Sequence, residues 1–585
     1  MSKNIFKKFF KKKRKRGGEI NPEDIFLDSS NLVGLDIDKE EGTFNKPISQ
    51  FMEYLPVIIV AIVFCFYTYR LYIIQIRDFS IYKEKADNNR YNANLILSNR
   101  GEIFDRNGKI LAENIVSSSS DMVKREYIKA GGFSNLLGYI SYPKKDNLNN
   151  YWQDNYIGKD GIELIYQDLL SGVNGKQIIE KDVKREVESK NLIVKPIPGA
   201  KLNLTIDAVI QKKLFDSMKK VVDERSFISA TGIIMNVNNG EIVAITNYPE
   251  YDNNLMTNAT GTEDNKKINK LLKDKRTPFL NRAVSGLFTP GSVVKPFMAY
   301  AALNEKIITP EKELLSVGQI VVPNIYGGPD TIFRDWKVHG YINVVRAIAV
   351  SSDEYFYQVG GGYKDQPGLG ISKIDEYAKL FGFISPTGID LPNEETGIIP
   401  TPEWKRINFI DSEWRLGDTY HTSIGQYGFQ VTPIELVRYI ASIANGGILV
   451  TPHLFLSASS SNLANNYEIV QKYNTKIWPT VDLNLNQYAL KYIKQGMREV
   501  VLPNGTVPQL NIEGLGVAAK SGTAELGVVK GKVNSLMTGY FPYDNPKYAF
   551  AVIIENGPVG GTSAGAQAIK PVLEYMSQNI EKYLE

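Results

Sequence analysis

The chain has 585 residues, of which 43% are hydrophobic and 23% charged, and its formal net charge is +4. This length exceeds one ordinary hydrophobic core and predicts two or more domains, while the composition is that of a globular protein. One cysteine and three histidines exclude a disulfide framework and argue against a zinc site or a Ser-His-Asp triad. We interpret His339, His421 and His453 as ordinary hydrogen-bonded residues.

A basic block precedes a long apolar stretch near the N-terminus. Lysines and arginines crowd residues 7–16, and residues 55–69 carry no charge. With the apolar residues 71–76, the stretch reaches the roughly 20 residues that a membrane span needs. Basic residues stay on the cytoplasmic side, so we favour an uncleaved anchor over a buried core helix, a signal peptide or a nucleic-acid-binding arm. We expect a cytoplasmic basic tail (1–50), an anchor (51–76) and an extracytoplasmic remainder.

The single cysteine, Cys65, falls inside this predicted anchor. The exported part therefore has no thiol and cannot be a cysteine enzyme. The mildly acidic residues 36–41, between the basic block and the anchor, are interpreted as a disordered linker.

Residues 77–225 are polar, with short apolar runs. Residues 100–108 predict a strand, an Asn107-Gly108 turn and a second strand. The segments 158–163 and 198–207 add further turns and edges. This part of the chain predicts a small β-rich domain.

Residues 226–585 mix strands and helices. Apolar runs at 232–236 and 241–245 flank an Asn-Asn-Gly turn, which is a hairpin signal. Near the C-terminus, residues 517–519 and 548–554 predict strands, and a helix begins at Ala564. Hairpin strands, a helical middle and closing strands indicate an antiparallel sheet with surrounding helices, an α+β fold.

A candidate nucleophile lies at the start of an almost wholly apolar helix. Ser292 and Lys295 are three residues apart, and so lie on one helix face. Pro290 and Gly291 interrupt the chain before them, and Pro296 falls where its missing N–H costs least. A hydroxyl beside an amine on a buried helix forms a nucleophile with its own base. The same spacing recurs without an apolar helix at Ser80–Lys83, Ser141–Lys144 and Ser217–Lys220.

Two later motifs strengthen this interpretation. Ser351-Ser352-Asp353 and Lys520-Ser521-Gly522-Thr523 follow Ser292-x-x-Lys295 in chain order. The trio resembles the Ser-x-x-Lys, Ser-x-Asn/Asp and Lys-Ser/Thr-Gly motifs of penicillin-binding proteins and serine β-lactamases. Other segments mimic the second motif (29–31, 119–121 and 460–462), but Lys-Ser/Thr-Gly occurs once. The combination is specific.

Further segments resemble class B penicillin-binding proteins. The signature at 100–108 is similar to that of their pedestal, and Phe333–Trp336, 388–392, 401–405 and 417–426 are similar to the elongation branch. The resemblance implies a pedestal (dimerisation-like) domain at 77–225 and a transpeptidase domain at 226–585. The pedestal has little room for a large head subdomain between Asn114 and Tyr156.

The resemblance also implies the chemistry and the site residues. The substrate would be a peptidoglycan stem peptide ending in D-Ala-D-Ala, attacked by Ser292 with neutral Lys295 as base. Ser351 would relay the proton. Asp353 would orient Ser351 and act as a counter-charge, and Lys520 is the expected partner of the Asp353 carboxylate. Lys520, Ser521 and Thr523 would bind the terminal carboxylate, and Gly522 would let the substrate backbone come close. The amides of Ser292 and Thr523 would form the oxyanion hole, and β-lactams would acylate Ser292.

The partners implied are the membrane, the SEDS-type glycosyltransferase RodA and rod-shape scaffold proteins. We expect no nucleic acid, no cofactor and no metal, because the metal site of some relatives includes a cysteine and none exists outside the anchor.

Several alternatives stay open at this point. Within the family, the alternative to an elongation enzyme is a septal (division) transpeptidase. From other classes, a membrane β-lactam sensor needs more spans, and a silent scaffold requires that the motifs do not converge. A β-lactamase needs a water-activating carboxylate, and a bifunctional enzyme needs a glycosyltransferase domain.

Overall fold

The computed structural model describes residues 50–79, 92–116, 123–147, 151–181, 187–324, 327–410, 413–461, 467–472, 479–526 and 531–584. The chain divides into two compact units, residues 1–90 and 91–585, each described by itself. The predicted basic tail and acidic linker lie outside the described residues.

One apolar helix dominates the described part of the first unit. Helix α1 (Gln50–Tyr72) continues into a π-helical turn, Ile73–Arg77. Pro56–Arg77 is 22 residues long, and an 18-residue window within it has a mean hydropathy of 2.2 with none of that window buried. Its length and composition suffice to cross a membrane, so the predicted apolar helix is confirmed. Membrane topology stays a prediction.

The second unit begins with short strands and helices up to residue 224. The strands are β1 Asn92–Ile96, β2 Ile103–Phe104, β3 Ile110–Ile115, β4 Lys124–Tyr127, β5 Ile140–Ser141, β6 Lys144–Lys145, β7 Tyr151–Gln153, β8 Ile157–Gly158, β9 Gly175–Lys181, β10 Val187–Val194 and β11 Lys201–Leu204. The helices are α2 Ser134–Leu137, α3 Gly161–Ile165, α4 Gln167–Leu170 and α5 Ala208–Glu224.

The remainder carries the larger elements. Its strands are β12 Ser229–Asn236, β13 Ile242–Tyr248, β14 Leu314–Ser316, β15 Gln319–Val322, β16 Thr331–Arg334, β17 Gly340–Ile342, β18 Ile448–Leu449, β19 Phe455–Ser461, β20 Tyr467–Lys472, β21 Val481–Asp482, β22 Ala518–Glu525, β23 Lys532–Phe541 and β24 Tyr548–Pro558. Its helices are α6 Asn253–Asn258, α7 Gly261–Leu272, α8 Arg282–Ser285, α9 Lys295–Asn304, α10 Val344–Val350, α11 Asp353–Gly361, α12 Gly370–Leu380, α13 Pro402–Asn408, α14 Leu416–Ser423, α15 Pro433–Ala444, α16 Gln487–Glu499, α17 Ala564–Ser577 and α18 Ile580–Tyr583.

A buried five-stranded antiparallel sheet organises this larger part, in the order β13-β12-β24-β23-β22. Helices α5 and α17 pack against each other and against the sheet, and α15 packs on β12, β23 and β24. The predicted hairpin is β12–β13, with Gly240 at φ 83° in its turn. The predicted strands near 517 and 548, and the helix from Ala564, are also present. The predicted α+β fold is confirmed.

A six-stranded sheet forms much of the β-rich part, in the order β20-β19-β11-β2-β3-β4. The predicted strand–turn–strand is β2–β3, with Gly108 at φ 80°. Two of the six strands, β19 and β20, come from residues 455–472, beyond the predicted boundary at 225/226. Conversely, α5 lies before that boundary but packs on the five-stranded sheet. The division into 77–225 and 226–585 stays a prediction.

A charged cluster is buried in the β-rich part. Glu163 accepts hydrogen bonds from Arg100 Nε at 2.5 Å, Arg125 Nε at 2.8 Å and Tyr127 OH at 3.1 Å. The side chains of Glu163, Arg100 and Arg125 are at most 1% exposed. Arg100 opens the predicted pedestal signature, so this cluster gives that arginine a structural role.

Candidate active site

Ser292 lies on a tight turn at the foot of a buried helix. The turn is a 3₁₀ segment, Gly291–Val294, and α9 follows it directly. Every α9 residue from Lys295 to Leu303 is buried, which fits its apolar sequence. Gly291 has φ 56°, and its N–H donates to Gly425 O at 2.9 Å. A left-handed glycine therefore anchors the turn that presents Ser292.

Lys295 is fully buried and makes three polar contacts. Its Nζ donates to Ser351 O at 2.8 Å, to Ser351 Oγ at 3.4 Å and to Asp353 Oδ1 at 2.5 Å. A buried amine with a carboxylate and two neutral acceptors is well satisfied. The first two motifs therefore meet at this amine.

The second motif is a sharp link between two helices. Ser351 ends α10 in the left-handed conformation, at φ 59° and ψ 39°. Ser352 then caps α11 by accepting from Tyr355 N at 3.2 Å, so that Asp353 is the first residue of α11. The left-handed turn leaves both the carbonyl and the hydroxyl of Ser351 in reach of Lys295.

The third motif lies on β22, an edge strand of the five-stranded sheet. Lys520 is fully buried, and its Nζ donates to Ser351 Oγ at 2.8 Å and to Ser521 O at 2.9 Å. Burial and the nearby positive charge of Lys295 hold the pKa of Lys520 well below its usual value, against the opposing effect of Asp353. All three motifs therefore converge on the Ser351 hydroxyl.

Gly522 is needed for packing within the protein. A Cβ there would lie 2.8 Å from Val293 Cγ1 and 2.9 Å from Pro290 O. Such contacts are too short for real Cβ atoms, so glycine lets β22 pack on the turn that carries Ser292. The role of Gly522 in letting the substrate backbone come close, which the resemblance implies, stays a prediction.

The partner of Asp353 differs from the predicted one. Asp353 is 2.5 Å from Lys295, and its side chain is 23% exposed. Lys520, which was expected to absorb this charge, instead bonds the Ser351 hydroxyl and a backbone carbonyl. That expectation is wrong because Asp353 begins α11 on the side that faces Lys295.

The Ser292 hydroxyl is half-buried and makes no hydrogen bond to any residue that the structure describes. Ser292 is therefore not hydrogen-bonded to Lys295, its predicted base. Catalytic hydrogen bonds are often long or absent without substrate and tighten on binding. Ser292 therefore differs from Lys295, Lys520, Ser351 and Asp353, whose side chains form a cluster joined by hydrogen bonds.

Comparison with protein families identifies the part of the chain that carries the three motifs. The profile of the penicillin-binding protein transpeptidase domain matches residues 230–574, and that of the penicillin-binding protein dimerisation domain matches residues 116–204. The chain belongs to the penicillin-binding protein transpeptidases. The resemblance inferred from the motifs is confirmed.

Curated relatives of this transpeptidase include the peptidoglycan D,D-transpeptidases MrdA of Haemophilus influenzae and Salmonella typhimurium. The first is 30% identical over 490 residues, which cover 79% of this chain and 71% of the relative. The second is 30% identical over 478 residues, covering 77% and 72%.

Solved structures agree with this assignment. A complex between penicillin-binding protein 2 and MreC from Helicobacter pylori is similar at TM-score 0.66 and 26% identity, covering 84% of this chain and 99% of that one. Penicillin-binding protein 2 of Pseudomonas aeruginosa in complex with WCK 5153 is similar at TM-score 0.65 and 29% identity, covering 83% and 96%.

Asp335 stabilises the second motif through hydrogen bonds to the residues on either side of Asp353, a role that the sequence did not reveal. Its Oδ2 accepts from Ser352 Oγ at 2.7 Å and from Glu354 N at 2.9 Å, on either side of Asp353. The segment 333–336 was noticed only for its family likeness. Nothing in the sequence places it against α11.

Thr506 and Gln426 were also missed. Thr506 Oγ1 lies 3.1 Å from Ser521 Oγ, and Gln426 Nε2 donates to Thr523 O at 3.5 Å. The hydroxyl expected to hold the substrate carboxylate is thus already paired within the protein. Both residues follow glycines in loops, a weak signal for function.

The histidines are less ordinary than predicted. His339 Nε2 is buried, forms no hydrogen bond to the described residues and lies 3.7 Å from Asp335 Oδ2. Burial lowers the pKa of His421, and burial lowers that of His453 to about 4. Within the described ranges, no group of three or more His, Cys, Asp or Glu is arranged to hold a metal ion. The expectation of no metal stays a prediction.

The other Ser-x-x-Lys segments do not join the site. Ser141 and Lys144 lie on short strands of the β-rich part, and Ser217 lies on α5. Ser80–Lys83 lies outside the described residues.

Proposed function

We propose that this chain is a peptidoglycan D,D-transpeptidase that crosslinks stem peptides during cell-wall elongation through an acyl-enzyme on Ser292. The observation that carries the proposal is the convergence of the three motifs. Lys295 Nζ and Lys520 Nζ both contact Ser351 Oγ, and the strand of Lys520 packs on the turn of Ser292. The lysines and the hydroxyl that a serine acyl transfer with lysine bases would use therefore lie together beside the turn of Ser292.

In the first half-reaction, Ser292 Oγ would form an ester with the carbonyl of the penultimate D-Ala. The amide bond to the terminal D-Ala would break, and the hydroxyl proton would end on the departing amine. In the second half-reaction, an amine of a neighbouring stem peptide would attack the ester, form the crosslink and release the Ser292 hydroxyl. Water in place of the amine would give a residual carboxypeptidase reaction.

Lys295 is assigned as the base for Ser292. Its bond to Asp353 must loosen or pass on a proton before the amine can accept one, because an ammonium has donors only. Ser351 is assigned as the relay, since its hydroxyl lies between the two amines at 3.4 and 2.8 Å. The lowered pKa of Lys520, caused by burial and the charge of Lys295, favours a neutral amine there that receives protons.

Substrate binding is assigned to β22. As an edge strand, β22 leaves one row of backbone groups outside the sheet, and an extended peptide pairs with such an edge. Ser521 and Thr523 are the hydroxyls proposed for the terminal carboxylate. The amides of Ser292 and Thr523 are proposed as the oxyanion hole, where one donor is worth about 2.7–4 kcal/mol. A β-lactam would use the same contacts and remain bonded to Ser292.

The site is proposed to face the outside of a cytoplasmic membrane. The basic block before the candidate span Pro56–Arg77 favours a cytoplasmic N-terminus and an extracytoplasmic catalytic part. The likeness to a penicillin-binding protein 2 solved in complex with MreC supports a rod-shape scaffold partner. A RodA-type glycosyltransferase, docked through the anchor and residues 77–225, would supply the glycan strand that the 226–585 domain crosslinks.

Labelling with a fluorescent penicillin tests the proposal. The full chain in detergent is expected to carry label on the peptide that contains Ser292, and Ser292→Ala is expected to abolish it. Lys295→Arg is expected to lower acylation about 10²–10⁴-fold, because arginine cannot deprotonate. Label on Ser141 or Ser217, or none on folded protein, would reject the transpeptidase.

A further inference from the structure

An exposed apolar surface lies beside the second motif. It is built from two antiparallel segments, residues 314–318 and 335–342. Leu315 pairs with Tyr341, Asp335 N donates to Gly318 O at 2.8 Å, and His339 N donates to Ser316 O at 3.3 Å. The two segments form one ribbon.

The inner side of the ribbon is fixed to α11. Ser316 Oγ and Gly318 N donate to Glu354 Oε2 at 3.0 and 2.7 Å. Asp335 binds Ser352 and the Glu354 amide from the same ribbon. The residues on both sides of Asp353 are therefore held, so the ribbon has a defined position relative to the catalytic cluster.

The outer side of the ribbon exposes large apolar side chains. We call this set the aromatic platform: Leu315, Val317, Trp336, Val338 and Tyr341, which are 43%, 54%, 60%, 61% and 68% exposed. Single exposed apolar residues are ordinary, but a contiguous group marks a binding surface. The inner contacts already fix the ribbon, so its stability does not explain the exposed rings.

The aromatic platform borders the catalytic cluster. The Trp336 ring lies 5.3 Å from the His339 ring, centroid to centroid. Burial lowers the pKa of His339 against the opposing charge of Asp335, whose Oδ2 lies 3.7 Å from Nε2, and the charges of Lys337, Lys295 and Arg346 add to the lowering. The His339 ring, in edge-to-face contact with Trp336, lies on the same ribbon as Asp335, which bonds Ser352 in the second motif.

Two cations flank the aromatic platform. Arg334 and Lys337 are exposed, and within the described ranges neither forms an ion pair. Unpaired cations beside exposed aromatic rings fit a ligand that combines apolar faces with carboxylates. They do not favour a purely apolar partner surface, which would have to bury both charges.

We propose that the aromatic platform binds the glycan strand of the substrate, an amino-sugar polymer whose stem peptides carry carboxylates. Pyranose rings present C–H faces that pack on indole and phenol rings, and the two cations would meet the carboxylates. This deepens the proposed function and rests on it: a strand held here delivers its stem peptides beside Ser292.

The test compares two double variants of the full chain in detergent. Trp336→Ala/Tyr341→Ala removes the platform rings. The matched control, Trp152→Ala/Tyr488→Ala, removes rings that are 64% and 59% exposed elsewhere. The probes are purified uncrosslinked glycan strands, with stem peptides and after their enzymatic removal. Binding and penicillin acylation are measured in parallel.

We expect the platform variant to bind both kinds of strand at least tenfold more weakly, with penicillin acylation within twofold of the parent. The control should match the parent in both assays. Unchanged strand binding would overturn the proposal. Loss confined to stem-bearing strands would also overturn it in favour of a peptide site, and a parallel loss of acylation would make the ring contacts structural. Absence of label on Ser292 in the parent would instead reject the proposed function, whatever the strands do.

Discussion

The β-rich part and the active site each contain two cationic side chains and one carboxylate, and they balance these charges differently. In the first cluster Glu163 lies between Arg100 and Arg125, and all three side chains are at most 1% exposed. In the second cluster Asp353 is 23% exposed and, among the described residues, pairs with Lys295 alone.

The chemistry of the cations explains the difference. A guanidinium does not lose its proton in proteins, so in this cluster it is the pKa of the carboxylate that shifts. Burial alone would raise the pKa of Glu163, but Arg100 and Arg125 outweigh burial and hold it below its usual value. In the active site the pKa of an amine shifts instead, because burial and the charge of Lys295 lower the pKa of Lys520. Arginine makes a cluster whose cations stay charged, whereas a buried lysine makes one in which a cation can lose its proton.

The comparison predicts its largest effect in the fixed cluster. Glu163→Gln removes the carboxylate that pairs with both Arg100 and Arg125 and leaves two buried guanidiniums without that counter-charge. Breaking a buried pair in this way costs about 3–5 kcal/mol. We expect a loss of this size in the free energy of unfolding, measured by denaturant titration of the full chain in detergent.

The matched control is Asp223→Asn, which breaks the Lys219–Asp223 pair on α5. Those side chains are 46% and 48% exposed, and exposed pairs contribute little. Equal losses in the two variants would contradict the role given to the buried cluster.

The second prediction concerns Lys520 and the pH dependence of stability. A lysine with a lowered folded-state pKa binds fewer protons when folded than when unfolded. Its contribution to stability therefore rises with pH, from the lowered pKa up to the ordinary value near 10.4. Lys520→Met removes this dependence, so its melting temperature should exceed that of the parent most at neutral pH and progressively less towards pH 10.

Lys220→Met is the control, because that side chain is 71% exposed. Its difference from the parent should stay constant with pH. A pH-independent difference for Lys520→Met would mean that burial does not destabilise the Lys520 ammonium.

The sequence predicted the elements that depend on local patterns. The α9 helix, the β12–β13 hairpin and the strand of Lys520 follow from apolar runs, Asn-Gly turns and glycine positions, which act over a few residues. The three motifs predicted the members of the site because their chemistry is specific to serine acyl transfer.

What the sequence did not predict depends on distant parts of the chain. The pairing of Asp353 with Lys295 follows from the direction in which α11 leaves the left-handed Ser351. The addition of β19 to the sheet of β11 joins residues about 250 positions apart. Asp335 and Thr506 lie in loops whose sequence has no periodicity, so only the tertiary fold brings them to the site.

The smallest effect is expected from Asp353→Asn, which changes the charge of the reactive cluster and keeps its shape. Asparagine retains an acceptor for Lys295, so the variant should fold and still react with penicillin. Asp353 opposes the lowering of the Lys520 pKa, and its negative charge favours protonated amines nearby. Without it the amines should lose protons more readily, and the profile of acylation rate against pH should move about one unit lower, roughly 1.4 kcal/mol.

Acylation rates of the parent and the variant between pH 5 and pH 10 provide the measurement. Glu525→Gln is the matched control, since it removes an exposed carboxylate at the end of the strand that carries Lys520. Its profile should coincide with that of the parent. If the Asp353→Asn profile also coincides with that of the parent, the charge of Asp353 does not control proton transfer. The charges of the active-site cluster would then be as fixed as those around Glu163.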